Sequence, residues 1–177
     1  MLVLASGLGL RFTASGGTVH KLKADLAGKP VLQHTLDAVR TSGLPWHLED
    51  AGHAGMGDSI AAAVRATAGA RGWLVLPGDL PLMRAQTLQR MADAGQYPVA
   101  VPRYQGVRGH PVRFAAECGL ELMKLTGNHG AAQVMAAYSA MNLVANIEID
   151  DIGIVTDIDT LADLQRAHDI LAGRQAA

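Results

Sequence analysis

Cysteine, an excess of either charge sign, and long apolar runs are what this sequence lacks. Its 177 residues include one cysteine, Cys118. That excludes an intramolecular disulfide and a cysteine-ligated zinc cluster. The residues around Cys118 have a helical pattern, so it reads as a reduced core thiol rather than a nucleophile. Acidic and basic side chains nearly cancel, at a formal net charge of −1. Charge therefore predicts neither a nucleic-acid partner nor a membrane surface. No apolar run approaches the ~20 residues of a membrane span. The N-terminus lacks the basic start and long apolar core of a secretory signal. The expectation is a soluble, cytoplasmic protein. Repeats, linkers and low-complexity segments are also missing. The length suits a single domain over residues 1–177, and with 49% hydrophobic and 18% charged residues a sizeable core is available.

What is present centres on WLVLPGDLPLM, Trp73 to Met83. Four apolar residues in a row, Trp73 to Leu76, read as a strand buried on both faces, as inside a parallel sheet. Asp79 follows the strand after Pro77-Gly78. Open α/β sheets bind ligands just past the carboxyl ends of their strands. A carboxylate there is a natural Mg²⁺ ligand, because this hard ion takes one or two carboxylates together with phosphate oxygens and water. A turn in which Asp79 satisfies backbone N–H groups explains the same residues.

Earlier in the chain, Met1 to Leu4 reads as a short strand, followed by the Gly/Ser/Thr-rich segment ASGLGLRFTASGGTVHK. Gly7 and Gly9 allow the backbone to pass close to a phosphate. Phe12 stands where a dinucleotide fingerprint has its third glycine, and no Gly-Lys-Ser/Thr follows, so the loop is neither of those motifs. Arg11 and Lys21 follow instead. A glycine loop with two cations suits a triphosphate; a flexible loop with two solvated charges is the other reading. Val31, Leu32, Leu36 and Val39 fall at helical spacing, with His34 on the helix surface and Ser42-Gly43 at its end. Residues 44–48 read as one short strand. In HAGMGDSIAAAVRATAGA, Gly55 and Gly57 precede a helix that Asp58 or Ser59 caps, or whose free N–H groups form a second ligand wall. Downstream, residues 84–94 read as a helix and 97–102 as a strand. His110 lies between Gly109 and Pro111, and 112–114 form a strand. Helical spacing covers 115–125 and 131–140, residues 143–149 read as a strand, and 153–155 as a second short run. Thr160 with Asp163 forms a capping-box variant for a closing helix. That account leaves Asp157 and Asp159 unexplained, and the tail after Gly173 is expected to fray.

In chain order the segments LASGLGLRF, HKL, LAGKPVLQHTLDAV, GMGDSI, LPGDLPLM, GVRGHPVRF, TGNHGAA and VTDIDTLADL resemble MobA-like nucleotidyltransferases across nearly the whole chain. The GMG-x-S, GHPV-x-F and DIDT-x-x-DL elements are most similar to the molybdenum cofactor cytidylyltransferase branch. The resemblance implies an α/β fold, a Rossmann-like three-layer sandwich with a mostly parallel sheet. It implies transfer of a nucleotidyl group from an NTP, CTP in this branch, to a phosphorylated acceptor such as the molybdopterin-bound cofactor, with release of pyrophosphate. It implies a nucleotide site formed by Ala5, Gly7, Gly9, Arg11, Lys21, Gly57 and Ser59, with Arg11, Lys21 and Asp79 as the catalytic residues. Asp79 and Asp157 then hold Mg²⁺, and His110 stands on the substrate side. A molybdoenzyme maturation partner is a further expectation from the resemblance.

The sequence departs from the family at three places. Ser6 stands where a second Ala or Gly is usual, a position that bears on base choice. Asn128 and Ala132 replace an acidic residue and an arginine that bear on the acceptor. The family also has more chain between Val39 and Gly55. Residues 42–57 are too few for a strand, a crossover and another strand. One strand at most is expected there, with the sheet shortened by one edge strand and the open edge covered by a loop or a partner, as in a homodimer. Three functions stay open: a cytidylyltransferase acting on molybdopterin, the same chemistry on another phosphorylated acceptor or with GTP, and a non-catalytic nucleotide- or partner-binding protein.

Overall fold

The structure, a computed structural model, describes residues 1–176. The chain begins with β1 (Leu2–Leu4), a short helix α1 (Leu10–Ala14) and a 3₁₀ turn at Lys21–Lys23. A two-residue hairpin follows, β2 (Asp25–Leu26) and β3 (Lys29–Pro30). Helix α2 (Val31–Thr41) leads to β4 (His47–Glu49), α3 (Met56–Ala66) and β5 (Gly72–Pro77). Then come α4 (Ala85–Asp93), β6 (Val99–Tyr104), β7 (Val107–Arg108) and β8 (Val112–Ala115). Helices α5 (Gly119–Met123) and α6 (Ala132–Ala140), strand β9 (Val144–Glu148) and α7 (Leu161–Ala176) complete the chain.

The central sheet has seven strands in the order β4-β1-β5-β8-β6-β7, with β9 on the other side of β6. β1 pairs in parallel with β4 and β5, and β6 in parallel with β9. β8 is antiparallel to both β5 and β6, and β7 is antiparallel to β6. Five strands therefore run one way and β7 and β8 the other, so the sheet is mostly parallel.

The alternation of residues along the strands sorts the core into layers. Leu2, Leu4, Trp73, Val75, Val99 and Val101 face α3, α5 and α6, meeting Ile60, Val64, Leu122 and Val134. Val3, Leu74, Leu76 and Ala100 face the other way, against Leu36 and Val39 of α2 and Leu88 and Met91 of α4. A third, smaller cluster joins Phe12, Leu22, Leu26 and Val31 to Leu82, Ile158 and Ala167. It packs the segment after the glycine loop against α7. Burying each of these large side chains contributes ~1.5–3 kcal/mol before entropy is counted. Cys118 is buried and free, and burial raises its thiol pKa.

One strand, β4, lies between α2 and α3, in agreement with the short middle of the sequence; it forms an end of the sheet. Other expectations need correction. The helix expected from 115 begins later, because β8 takes Ala115 and a 3₁₀ turn takes Ala116–Cys118. The run at 153–155 is part of a 3₁₀ turn, Ile152–Val155, since the Asp151 side chain accepts the Gly153 N–H. His34 is not a free surface residue: its Nε2 bonds the Leu26 carbonyl at 2.7 Å. The closing helix does not fray at Gly173. It runs to Ala176, and Arg174 donates to the Leu82 carbonyl (2.9 Å) and to the buried Asp151 carboxylate (3.3 Å). Among the described residues no helix is long and apolar enough to cross a membrane.

Candidate active site

Three loops at the carboxyl ends of β1 and β5 and before α7 converge on a cavity of about 460 Å³. Gly78 brings the first two together. Its N–H donates to the Leu4 carbonyl at 2.8 Å, and its own carbonyl accepts from the buried Thr35 hydroxyl at 3.0 Å. A Cβ at Gly78 would lie 2.9 Å from Leu32 Cδ1 and 3.1 Å from the Leu4 oxygen. A side chain there would have to push Leu32 aside and crowd the Leu4 carbonyl, and that close approach sets Asp79 beside the glycine loop. In that loop Gly9 has φ +65°, a left-handed conformation that costs glycine little, and begins α1. Phe12, 1% exposed, anchors α1 in the core and leaves Arg11 facing outward.

Four charges form a chain along the cavity. Arg11 Nη1 lies 2.7 Å from Asp159 Oδ2. Asp159 Oδ1 lies 2.8 Å from Lys21 Nζ, and Lys21 Nζ lies 2.5 Å from Asp79 Oδ2. Burial works against the Lys21 charge. The Asp79 carboxylate, with hydrogen bonds to Asp159 and Asp79, outweighs it and raises the lysine pKa above its ordinary value. The Lys21 side chain is 12% exposed against 79% for Arg11. Arg11 is therefore open to solvent, whereas Lys21 is enclosed, in contact with Asp79 itself. The other oxygen of that carboxylate, Asp79 Oδ1, is buried and has no hydrogen-bond partner among the described residues.

Asp157 stands just outside this chain. It makes no ion pair among the described residues. Its carboxyl pKa is raised, first by shielding from water and then by the Asp159 and Asp79 carboxylates, with Lys21 opposing. The opposite wall comes from the segment before α3 and the first turn of that helix, where His53, Gly55, Met56 and Ser59 line the cavity with Asn128. Asp58 is not a helix cap: Gly55 holds that position, and Asp58 Oδ2 accepts the Gly127 N–H at 3.0 Å. The Ser59 hydroxyl turns back to the Gly55 carbonyl at 3.1 Å.

Gly7, Gly9, Arg11, Lys21, Ser59 and Asp79 thus gather on one cavity, while Ala5, Gly57, His110 and Asp157 do not line it. Ala5 packs with the core beneath the loop and gives its N–H to the Glu49 carbonyl at 2.8 Å. Gly57 does not offer a free N–H to a ligand, since it donates to the Gly127 carbonyl at 2.7 Å. A Cβ there would lie 2.7 Å from the Thr126 oxygen. His110 is tied by its N–H to the Ile154 carbonyl at 2.9 Å. Burial lowers its pKa, opposed by the nearby Asp79 charge and the Val75 backbone, and Nδ1 is buried without a partner. Asp159 is the residue that sequence reasoning left without a role. Its signal was the Asp-x-Asp spacing, which puts two carboxylates either side of one apolar residue. His53 gave no signal at all.

The sequence profile of the MobA-like NTP transferase domain matches residues 37–142, the span that carries Asp79 and the wall before α3. Bifunctional protein GlmU of Burkholderia orbicola is 30% identical over a stretch covering 54% of this chain and 25% of GlmU. The chain therefore spans about a quarter of the length of that curated relative. A nucleotidyl transferase from Methanothermobacter thermautotroptrophicus has a similar structure, with a TM-score of 0.81, 20% identity, and coverage of 98% of this chain and 97% of the other. The molybdopterin-guanine dinucleotide biosynthesis protein A of Archaeoglobus fulgidus gives a TM-score of 0.65 at 17% identity, covering 97% of this chain and 98% of the other. At these identities the two structures bear on the fold alone. The profile covers more than half of the sequence, and the chain belongs to the MobA-like NTP transferase domain family.

Proposed function

We propose that the protein moves a nucleotidyl group from an NTP to a phosphorylated acceptor, with CTP as donor and the molybdopterin-bound molybdenum cofactor as acceptor. The observation that carries this reading is the gathering of Gly7, Gly9, Arg11, Lys21 and Asp79 on one cavity. The choice of base and acceptor rests on the GMG-x-S, GHPV-x-F and DIDT-x-x-DL segments. A divalent metal, Mg²⁺, fits the carboxylates present. Among the described residues, Asp79 Oδ1 is a buried oxygen without a partner, and the Asp157 carboxylate is in no ion pair. Both are hard oxygen donors of the kind Mg²⁺ takes. When bound, the ion supplies charge neutralisation at the phosphate oxygens.

The chain's own residues do the rest. Backbone N–H groups of the Gly7–Gly9 loop hold phosphate oxygens. Arg11 is free to turn from Asp159 to a terminal phosphate, as a rigid fork of donors suits such an anion. Lys21, kept cationic by its two carboxylates, offsets the charge that builds up on the departing pyrophosphate. An oxygen of the acceptor's phosphate attacks the α-phosphorus, the bond to the bridging oxygen breaks, and pyrophosphate leaves; no protein nucleophile is needed. The test is pyrophosphate release from the purified protein with Mg²⁺, each NTP in turn, and the molybdopterin-bound cofactor. Release with CTP supports the reading, and faster release with GTP reverses the base. Release only with another phosphorylated acceptor moves the substrate. Silence with every NTP favours a non-catalytic binding protein.

A further inference from the structure

His20 immediately precedes Lys21, and its imidazole joins two parts of the site. Nδ1 accepts the Leu22 N–H at 3.3 Å and so caps the 3₁₀ turn that carries Lys21. The acceptor role of Nδ1 assigns the ring hydrogen to Nε2. Nε2–H then donates to the Gly7 carbonyl at 2.7 Å. The same ring packs against the second glycine of the loop: a Cβ at Gly9 would lie 3.5 Å from His20 Nε2 and 3.5 Å from Lys21 Cγ.

Gly7 needs that hold. Beyond its two chain neighbours, no atom of the described residues lies within 4 Å of the place its Cβ would occupy, and glycine changes φ and ψ at little steric cost. Turning the Gly7–Leu8 peptide over would change ψ of Gly7 and φ of Leu8 together. Gly7 resists little, so the peptide's orientation depends on Leu8 avoiding positive φ and on the bond that grips the Gly7 carbonyl. A planar trans peptide points its C=O and N–H in opposite directions. With the oxygen drawn to His20, the Leu8 N–H is left on the other side of the plane. Were the plane reversed, a carbonyl oxygen would take the place of the donor. For an approaching phosphate that replaces an attractive dipole with a repulsive one.

We propose that His20 is a positioning residue for the polyphosphate. Its imidazole grips the Gly7 carbonyl, fixes the Gly7–Leu8 peptide with its N–H available to an anion, and sets the glycine loop in register with Lys21. This rests on the triphosphate reading given above.

Three variants separate the grip from the cap. His20→Ala removes both. His20→Asn keeps a good capping acceptor for Leu22 but is too short to reach Gly7. His20→Gln keeps a donor at the ε position and loses the ring acceptor. Binding of CTP, GTP and inorganic tripolyphosphate, each with Mg²⁺, is measured by calorimetry, with Lys21→Ala as a second phosphate-site variant. His20→Ala and His20→Asn are expected to weaken all three ligands ~10-fold, the scale of one lost hydrogen bond. His20→Gln restores part of that loss. In turnover assays the same variants raise the KM for NTP while kcat at saturating NTP changes less. His20→Asn binding as tightly as the unaltered protein would reduce His20 to a cap and overturn the proposal. So would wild-type binding in all three variants while Lys21→Ala binds weakly, or a fall in kcat with KM unmoved. If the unaltered protein binds neither an NTP nor tripolyphosphate, the triphosphate reading fails first and takes this inference with it.

Discussion

The backbone N–H of Ile158 donates to the carbonyl oxygen of Asp79 at 3.0 Å. Ile158 itself is fully buried, in the cluster beneath the glycine loop. The buried Ile158 side chain and this backbone bond help set the segment bearing Asp157 and Asp159 against the strand end bearing Asp79. Asp79 and Asp159 reach the cavity from distant loops, and this main-chain bond supports the spacing that Lys21 bridges between them.

Asp79→Asn is expected to lower turnover by at least ~100-fold, because loss of one charge-stabilising group commonly costs ~2.7–4 kcal/mol in a transition state. The fold should hold, since Lys21 keeps its bond to Asp159. Pyrophosphate release at saturating Mg²⁺, measured beside a thermal melt, checks both halves. Unchanged turnover would remove Asp79 from the chemistry.

Arg11 and Lys21 should separate in their effects on stability. Arg11→Ala is expected to weaken NTP binding while leaving the melting temperature within ~1 °C, as exposed ion pairs contribute little. Lys21→Met should weaken NTP binding and also destabilise the protein by ~1–3 kcal/mol, because it leaves the enclosed Asp79 carboxylate without its partner. Calorimetric titration with NTP and chemical denaturation of both variants distinguish them. Equal stability loss in the two would contradict the enclosed pairing.

Gly57→Ala is expected to weaken nucleotide binding from a position that does not line the cavity. The added methyl group meets the carbonyls of Thr126 and Gly127, so the loop carrying Asn128 must shift away from α3. A stability loss of ~1–3 kcal/mol from overpacking accompanies it. Denaturation together with NTP titration measures both. Binding at the wild-type level in a destabilised variant would separate the loop from the site.

His110 predicts a limb in the pH–stability curve. Burial holds its pKa below the ordinary imidazole value of 6.5, so the unfolded chain takes up this proton before the folded protein does. Its stabilising contribution is complete above ~6.5 and is lost as pH falls below that value, down to the folded pKa. Between pH 7.5 and 5 the melting temperature of His110→Gln should fall less steeply than that of the unaltered protein. Parallel curves would mean that His110 takes up its proton equally in both states.

Much of the fold was legible from periodicity. The unbroken apolar run at 73–76 is β5, and the helical spacing of Val31, Leu36 and Val39 is α2. Helix α1 was not legible, because five residues hold one turn and no repeat; it forms because Phe12 finds a pocket under α7. The 3₁₀ turn at Ile152–Val155 looked like a strand, since three consecutive residues carry no period, and the Asp151 side chain decided the matter. Within the site, glycines and isolated charges between apolar runs stood out. Asp159 did not acquire a partner until Arg11 and Lys21 were placed beside it, and no local pattern encodes that approach.

The position of β1 bears on how the protein is made. It lies between β4 and β5, with Leu2 opposite His47 on one side and Val75 on the other. β1 therefore leaves the ribosome well ahead of its second neighbour and waits for it. At ~5–20 residues per second that delay is on the order of 4–15 s, during which Leu2, Val3 and Leu4 have no completed sheet to enter. The row of charges closes later still, because Asp159 follows β5 only after four further strands and three further helices. A nascent chain can acquire a partly covered sheet long before Arg11, Lys21, Asp79 and Asp159 can meet, so under the proposed function nucleotide cannot assist the early stages of folding and can only reward their completion.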